Sequence, residues 1–161
     1  MPPYMGGGEM IKDVSFERTT YNDIPYKFEA GTPNIGDVVA FKEAFLFINE
    51  LGKENIAAYE HRLLQYAAER LSTLPSVRLI GTAPEKVSVQ SFVIEGIHHF
   101  DIGQMLDTRG IAVRTGHHCT QPLMECFRIE GTVRASFSIY NTKEEIDLLI
   151  EGVDRIVKFM K

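Results

Sequence analysis

The stretch from Thr132 to Met160 limits the fold more than any other. From Thr132 to Tyr140 apolar and polar residues alternate, with Val133, Ala135, Phe137 and Ile139 on one side and Arg134, Ser136, Ser138 and Tyr140 on the other. That period of two marks a strand with one buried face. Thr142-Lys143-Glu144-Glu145 follows, a sequence in which the threonine and the second glutamate can cap each other's backbone. Ile146, Leu149, Ile150, Val153, Val157 and Met160 then form the stripe of an amphipathic helix. A strand with one apolar face, handed almost at once to a helix with one apolar stripe, is expected to lay that helix against the sheet.

The rest of the chain is read around this unit. Asp37–Leu51 is expected to be a helix with the stripe Val38, Phe41, Phe45 and Ile48, ended by Gly52. A second helix is expected from Glu54 to Leu74 through Ile56, Tyr59, Leu63, Ala67, Leu71 and Leu74, stopped by Pro75 and paired with the first as a helical hairpin. Val77–Ile80 and Val87–Ile94 read as strands, and Asp101 as the cap of a helix carrying Ile102, Met105 and Leu106. Ile111–Val113 reads as a short strand, followed by a loop and a helix to about Phe127. The expected architecture is therefore α/β (α+β): a small, largely antiparallel sheet with helices packed on one face, occupying residues 35–161. Residues 1–34 are punctuated by Pro2, Pro3, Gly6–Gly8, Pro25, Gly31 and Pro33. They read as an irregular arm, with extended pieces at Ile11–Phe16 and Tyr26–Glu29, and such an arm needs a missing domain or a second subunit to lie against.

Charge and composition narrow the function. The formal net charge of −5 argues against a nucleic-acid surface, which needs a basic stripe. No apolar run approaches the roughly 20 residues that cross a bilayer. Cys119 and Cys126 make no disulfide framework, so a reducing, cytoplasmic setting is the expectation.

The chemistry gathers in Arg114-Thr115-Gly116-His117-His118-Cys119-Thr120-Gln121-Pro122. Gly116 lets the chain turn and Pro122 suits the first turn of a helix, so Cys119 is placed between a strand end and a helix start. Cationic neighbours and backbone N–H groups there stabilise a thiolate, and Cys119 is read as a nucleophile rather than a core residue. Cys126, beside Met124 and Phe127, is read as packing. A zinc site from His117, His118 and Cys119 with His98 and His99 is disfavoured, because adjacent ligands diverge and no C-x-x-C or H-E-x-x-H occurs. Arg134 projects from the polar side of its strand among small serines, with room for a carboxylate against its planar fork. Arg114 is read either in the same role or as a partner of the thiolate.

These residues resemble a known family. Arg-Thr-Gly-His-His-Cys-x-Gln-Pro at 114–122 is similar to the active-site loop of SUF-type (group II) cysteine desulfurases and the related selenocysteine lyases. Pro-Pro-Tyr-x-Gly-Gly-Gly-Glu-Met-Ile at 2–11, Phe-Glu-Ala-Gly-Thr-Pro-Asn at 28–34 and Arg-Ala-Ser-Phe…Tyr-Asn-Thr at 134–142 match the family in the same order. The resemblance implies the C-terminal domain of a homodimeric fold-type I enzyme that uses pyridoxal 5'-phosphate. It implies conversion of L-cysteine to alanine with a persulfide left on Cys119, and delivery of that sulfur to an acceptor protein of the SUF system for iron–sulfur cluster assembly. It assigns the substrate carboxylate to Arg134 with Arg114 lining the same pocket, and places Thr32 toward the cofactor phosphate of the partner subunit. His117 and His118 match the loop without an assigned proton-transfer role. The family's Schiff-base lysine lies upstream of the Pro-Pro…Gly-Gly-Gly segment, and none of the eight lysines here stands in a matching context. The chain is therefore expected to be the C-terminal portion of such an enzyme, inactive alone, with residues 1–34 left from the junction with the cofactor domain. Selenocysteine as substrate, or a non-catalytic persulfide-carrier module, are the alternatives.

Overall fold

The computed structural model describes residues 1–160. The chain divides into two compact units between Leu51 and Gly52.

The first unit holds β1 (Ile11–Val14) and β2 (Thr19–Tyr21), paired antiparallel as a hairpin, then α1 (Ile35–Leu51). Two single 3-10 turns, Gly8–Met10 and Tyr26–Phe28, complete it. The Tyr26–Glu29 segment, expected to be extended, is thus a turn. β2 is a strand where none was expected. The Met10 side chain is buried, and its sulfur accepts a hydrogen bond from the Gly7 N–H at 3.2 Å. In α1 the Asn34 side chain accepts from the Asp37 N–H at 3.3 Å, so the helix begins just before the expected Asp37. None of its side chains is buried, and the stripe Val38, Phe41, Phe45 and Ile48 stays exposed. The two helices of the expected hairpin fall in different compact units, with the division between Leu51 and Gly52.

The second unit runs α2 (Lys53–Ser72), β3 (Val77–Ile80), β4 (Val89–Ile94), α3 (His99–Asp107), β5 (Arg114–Gly116), α4 (Gln121–Phe127), β6 (Thr132–Ser136) and α5 (Lys143–Phe159). Its sheet is antiparallel throughout, in the order β3-β4-β6-β5. One face of the sheet joins stripes from α2, α3 and α5 in a single core built around Phe92, Val133, Ala135, Leu63, Leu71, Ile102, Leu106, Ile146 and Val153. Each such side chain, taken from water, contributes about 1.5–3 kcal/mol. This is the mixed α/β arrangement with helices on one sheet face that the strand and helix periods predict.

Two details of the core bear on the site. Gln90 is fully buried on the core side of β4 and is satisfied from three directions, donating to the Ile80 and Ser91 carbonyls and accepting from Lys86 Nζ. The capping box at Thr142 forms as expected, with the Glu145 N–H donating to Thr142 Oγ1 at 3.3 Å and the Thr142 N–H to Glu145 Oε2 at 3.1 Å. It fixes the start of α5 at Lys143, after the connection from β6. The cap of α3 is His98, whose Nδ1 accepts from the Phe100 N–H, and Asp101 lies in the first turn instead.

Candidate active site

The site is built on the sheet edge. The strand expected at Ile111–Val113 is displaced to Arg114–Gly116, because Ile111 and Val113 turn toward the core while the next three residues pair with β6. The register sets Arg114 opposite Arg134, Thr115 opposite Val133 and Gly116 opposite Thr132. Ser91 of β4 faces Arg134 from the other flank. Alternation puts Arg114, Arg134 and Thr132 on the sheet face away from the helices. Thr115 points the opposite way, against Gly103 of α3, where an added methyl would lie 2.5 Å from its Cγ2. Like charges directly opposite in a ladder repel. Two arginines share this rung, and Arg134 Nε is buried with no hydrogen-bond partner.

β5 feeds the reactive loop. His118 and Cys119 have φ of 53° and 62°, two consecutive left-handed residues that are not glycine. Each costs about 1–2 kcal/mol, so the loop has to be held in place. The Cys119 N–H donates to His117 Nδ1 at 3.1 Å, and the Thr120 N–H and hydroxyl both donate to the His117 carbonyl, at 2.8 and 2.7 Å. His118 Nε2 meets the hydroxyl of Thr132 at 2.8 Å. Cys119 is exposed, as the nucleophile reading requires. Thr120 is the N-cap of α4 and Pro122 lies in its first turn.

The imidazoles are arranged unequally. His117 is exposed and closes the loop. His118 is half-buried, and burial, then the charges of Arg134 and Arg114, hold its pKa below the ordinary histidine range. A hydrogen bond to the Thr132 backbone opposes that shift, and His99 adds to it. His99 is lowered as well, by burial and then by His98, against the opposite pull of Glu130 and Asp101. Both rings are therefore neutral near pH 7. The His99 ring lies on Gly131, where a methyl would come within 2.6 Å of it and within 2.8 Å of the Gly116 carbonyl carbon. His98 stacks on His99 at 4.1 Å between ring centroids and pairs with Glu130 at 3.4 Å. A cavity of about 500 Å³, lined by Arg78, His98, His99, Arg128 and Glu130 among others, adjoins this cluster. His99 Nδ1 and His118 Nδ1 are buried without partners, like Arg134 Nε.

The structure thus gathers Arg114, Arg134, His117, His118 and Cys119 at one sheet edge. Thr32 belongs to the first unit, where it lines a cavity of about 310 Å³ with Gly8, Met10 and Tyr26. Cys126 is exposed and not packed, because α4 turns Met124 inward instead. Among the described residues no group of His, Cys, Asp and Glu could hold a metal ion, and no helix is long and apolar enough to cross a membrane. Thr132 and Gly131 were not singled out by sequence, and His99 only as a disfavoured metal ligand. Thr132 carries a readable signal, a polar residue opening a strand beside Arg134, whereas the role of Gly131 depends on an approach no local pattern encodes.

Residues 1–149 match the family model described as aminotransferase class-V. A cysteine desulfurase of Synechococcus elongatus is 51% identical over 154 residues, which is 96% of this chain and 25% of the relative. The apo structure of a cysteine desulfurase from Thermococcus onnurineus superposes with a TM-score of 0.88 at 37% identity, covering 97% of this chain and 39% of that one. The cysteine desulfurase CsdA of Escherichia coli gives 0.87 at 35% identity, covering 99% and 39%. The chain spans well under half the length of each of these relatives, and it belongs to the aminotransferase class-V family, alongside cysteine desulfurases.

Proposed function

We propose that this chain is the C-terminal, cysteine-bearing part of a cysteine desulfurase, and that Cys119 takes the sulfur of L-cysteine as a persulfide. The observation that carries this reading is the cross-strand rung Arg114–Arg134 beside an exposed cysteine. A paired guanidinium site fits a carboxylate, bound by Arg134 in bidentate fashion with Arg114 as the neighbouring charge. The unpartnered Arg134 Nε offers a buried donor for it. The neutral His118 adds no third positive charge at that rung. With the carboxylate fixed, Cys119 Sγ forms an S–S bond to the substrate sulfur. The substrate's Cβ–S bond breaks, its carbon takes up a proton, and alanine leaves. The persulfide then passes to an acceptor thiol protein of the SUF system, supplying iron–sulfur cluster assembly.

The unpaired donors at this edge, Arg134 Nε, His99 Nδ1 and His118 Nδ1, fit an anionic group, and Thr32 would offer a hydroxyl to the phosphate of pyridoxal 5'-phosphate in a homodimer. Pyridoxal 5'-phosphate supplies an electron sink for the substrate carbon when bound. By the family resemblance, the lysine that would carry it is none of the eight in this chain. Lys161 lies outside the described residues.

The test is turnover in the complete enzyme. Cys119→Ala is expected to lower alanine release from L-cysteine at least about a hundredfold, the usual consequence of deleting a nucleophile. Wild-type alanine release by that variant would refute the assignment. Loss with cysteine but retention with selenocysteine would favour a selenocysteine lyase.

A further inference from the structure

We infer that Thr132 is a positioning residue for Cys119: its hydroxyl, set in the β5–β6 ladder, fastens the His118 ring and through it the left-handed backbone that presents the thiol. The inference rests on the desulfurase reading for its consequence in turnover, though not for its geometry.

Thr132 and Gln90 are the buried polar residues among the described ones. The Gln90 amide is consumed by the core around it. The Thr132 hydroxyl is not on the core side. It shares the outer face with Arg134, and its side-chain partner is His118 Nε2 at 2.8 Å. A valine has nearly the same shape and would fill the space without burying a hydroxyl, an arrangement that disfavours threonine unless its bond is used.

The bonds around Cys119 explain the use. Those from the Cys119 N–H and from Thr120 end on His117, inside the loop itself. They shape the loop without attaching it. Among the described residues, the His118 ring fastens His117–Thr120 to the sheet at Thr132, through its hydroxyl at 2.8 Å and through its backbone. Thr132 is also the register partner of Gly116, the last residue of β5, so anchor and loop entry share a rung. Two adjacent left-handed residues without a tether relax toward ordinary conformations, and the thiol moves with them.

The experiment labels the complete enzyme and follows Cys119 and Cys126, both exposed in this chain, with Cys126 as internal reference for Cys119. Each is labelled briefly with iodoacetamide and the ratio of labelled Cys119 to labelled Cys126 is read by peptide mass spectrometry. Thr132→Val is expected to lower that ratio at least about threefold, and to lower kcat for L-cysteine about tenfold with KM changed less than about twofold. Thr132→Ser, which keeps the hydroxyl, restores both. Should the valine variant fail to fold, His118→Phe removes the other end of the tether and is expected to lower the ratio equally. A wild-type ratio in the variant that folds, or failure of serine to restore it, overturns the inference. A change in KM with kcat unchanged also overturns it, since that pattern marks binding rather than thiol placement. If Cys119→Ala proves to turn cysteine over normally, the functional reading falls and the labelling ratio alone still decides on the tether.

Discussion

At the scale of single residues, the site is governed by which groups can carry charge. Arg114 and Arg134 are permanently positive; burial and then their charges hold His118 below the ordinary histidine range, and burial and then His98 hold His99 there. The linkage sign follows. Above the ordinary histidine value of 6.5 both states of the chain are neutral at these rings. Below it the unfolded chain takes up protons that the folded one resists, so stability falls with pH. The unfolding midpoint is expected to drop between about pH 7 and pH 5, and His118→Phe to remove part of that slope. Glu144 and Glu145, lowered by hydrogen bonds at the α5 cap, act in a separate window that opens only as pH falls below 4.5. A slope confined to that acid window would show that the histidines do not contribute. Cys119 and both arginines stand out in the sequence, because reactive groups crowd into one loop and onto one polar strand face. Thr132 is not, because a single threonine in an alternating strand reads as solvated until its partner is seen.

At the scale of elements, the close approach of β5 and β6 is the determining contact. Gly131→Ala would push a methyl into the His99 ring and the Gly116 backbone, and backbone cannot swing aside as a side-chain tip can. That variant is expected to lose about 1–3 kcal/mol by urea unfolding and to slow cysteine turnover. Gly36→Ala is the control, since an added methyl there meets nothing and alanine favours a helix, so equal losses at the two sites would refute the packing argument. Elements with a full period were legible: α2, α5, β3, β4 and β6 fall close to where the apolar spacing puts them. β5 was misplaced because Arg-Thr-Gly has no apolar period, and its pairing is imposed by β6. The β1–β2 hairpin has the same cause. Its turn, Ser15 to Arg18, is organised by the Ser15 hydroxyl, which accepts from the Glu17 and Arg18 N–H groups and carries no glycine signal.

At the scale of the whole molecule, α1 stands apart. Its residues are apolar on every side, yet Ile35, Val38, Val39, Phe41 and Phe45 are each more than half exposed. Helices of that composition are normally enclosed, and exposed patches of this kind drive association. The 161-residue chain alone is therefore expected to elute above its 18.2 kDa mass and to bind a hydrophobic dye, with Phe41→Glu/Phe45→Glu reducing both. A monomer indifferent to the dye would show that α1 is content in water. The rung of two arginines has a reach beyond catalysis. β5 is the outermost strand and only three residues long, so the mutual repulsion of Arg114 and Arg134 loosens the very edge from which the cysteine loop departs. On the proposed reading, an arriving carboxylate would cancel that repulsion, so that filling the pocket and knitting the border of the sheet would become one event.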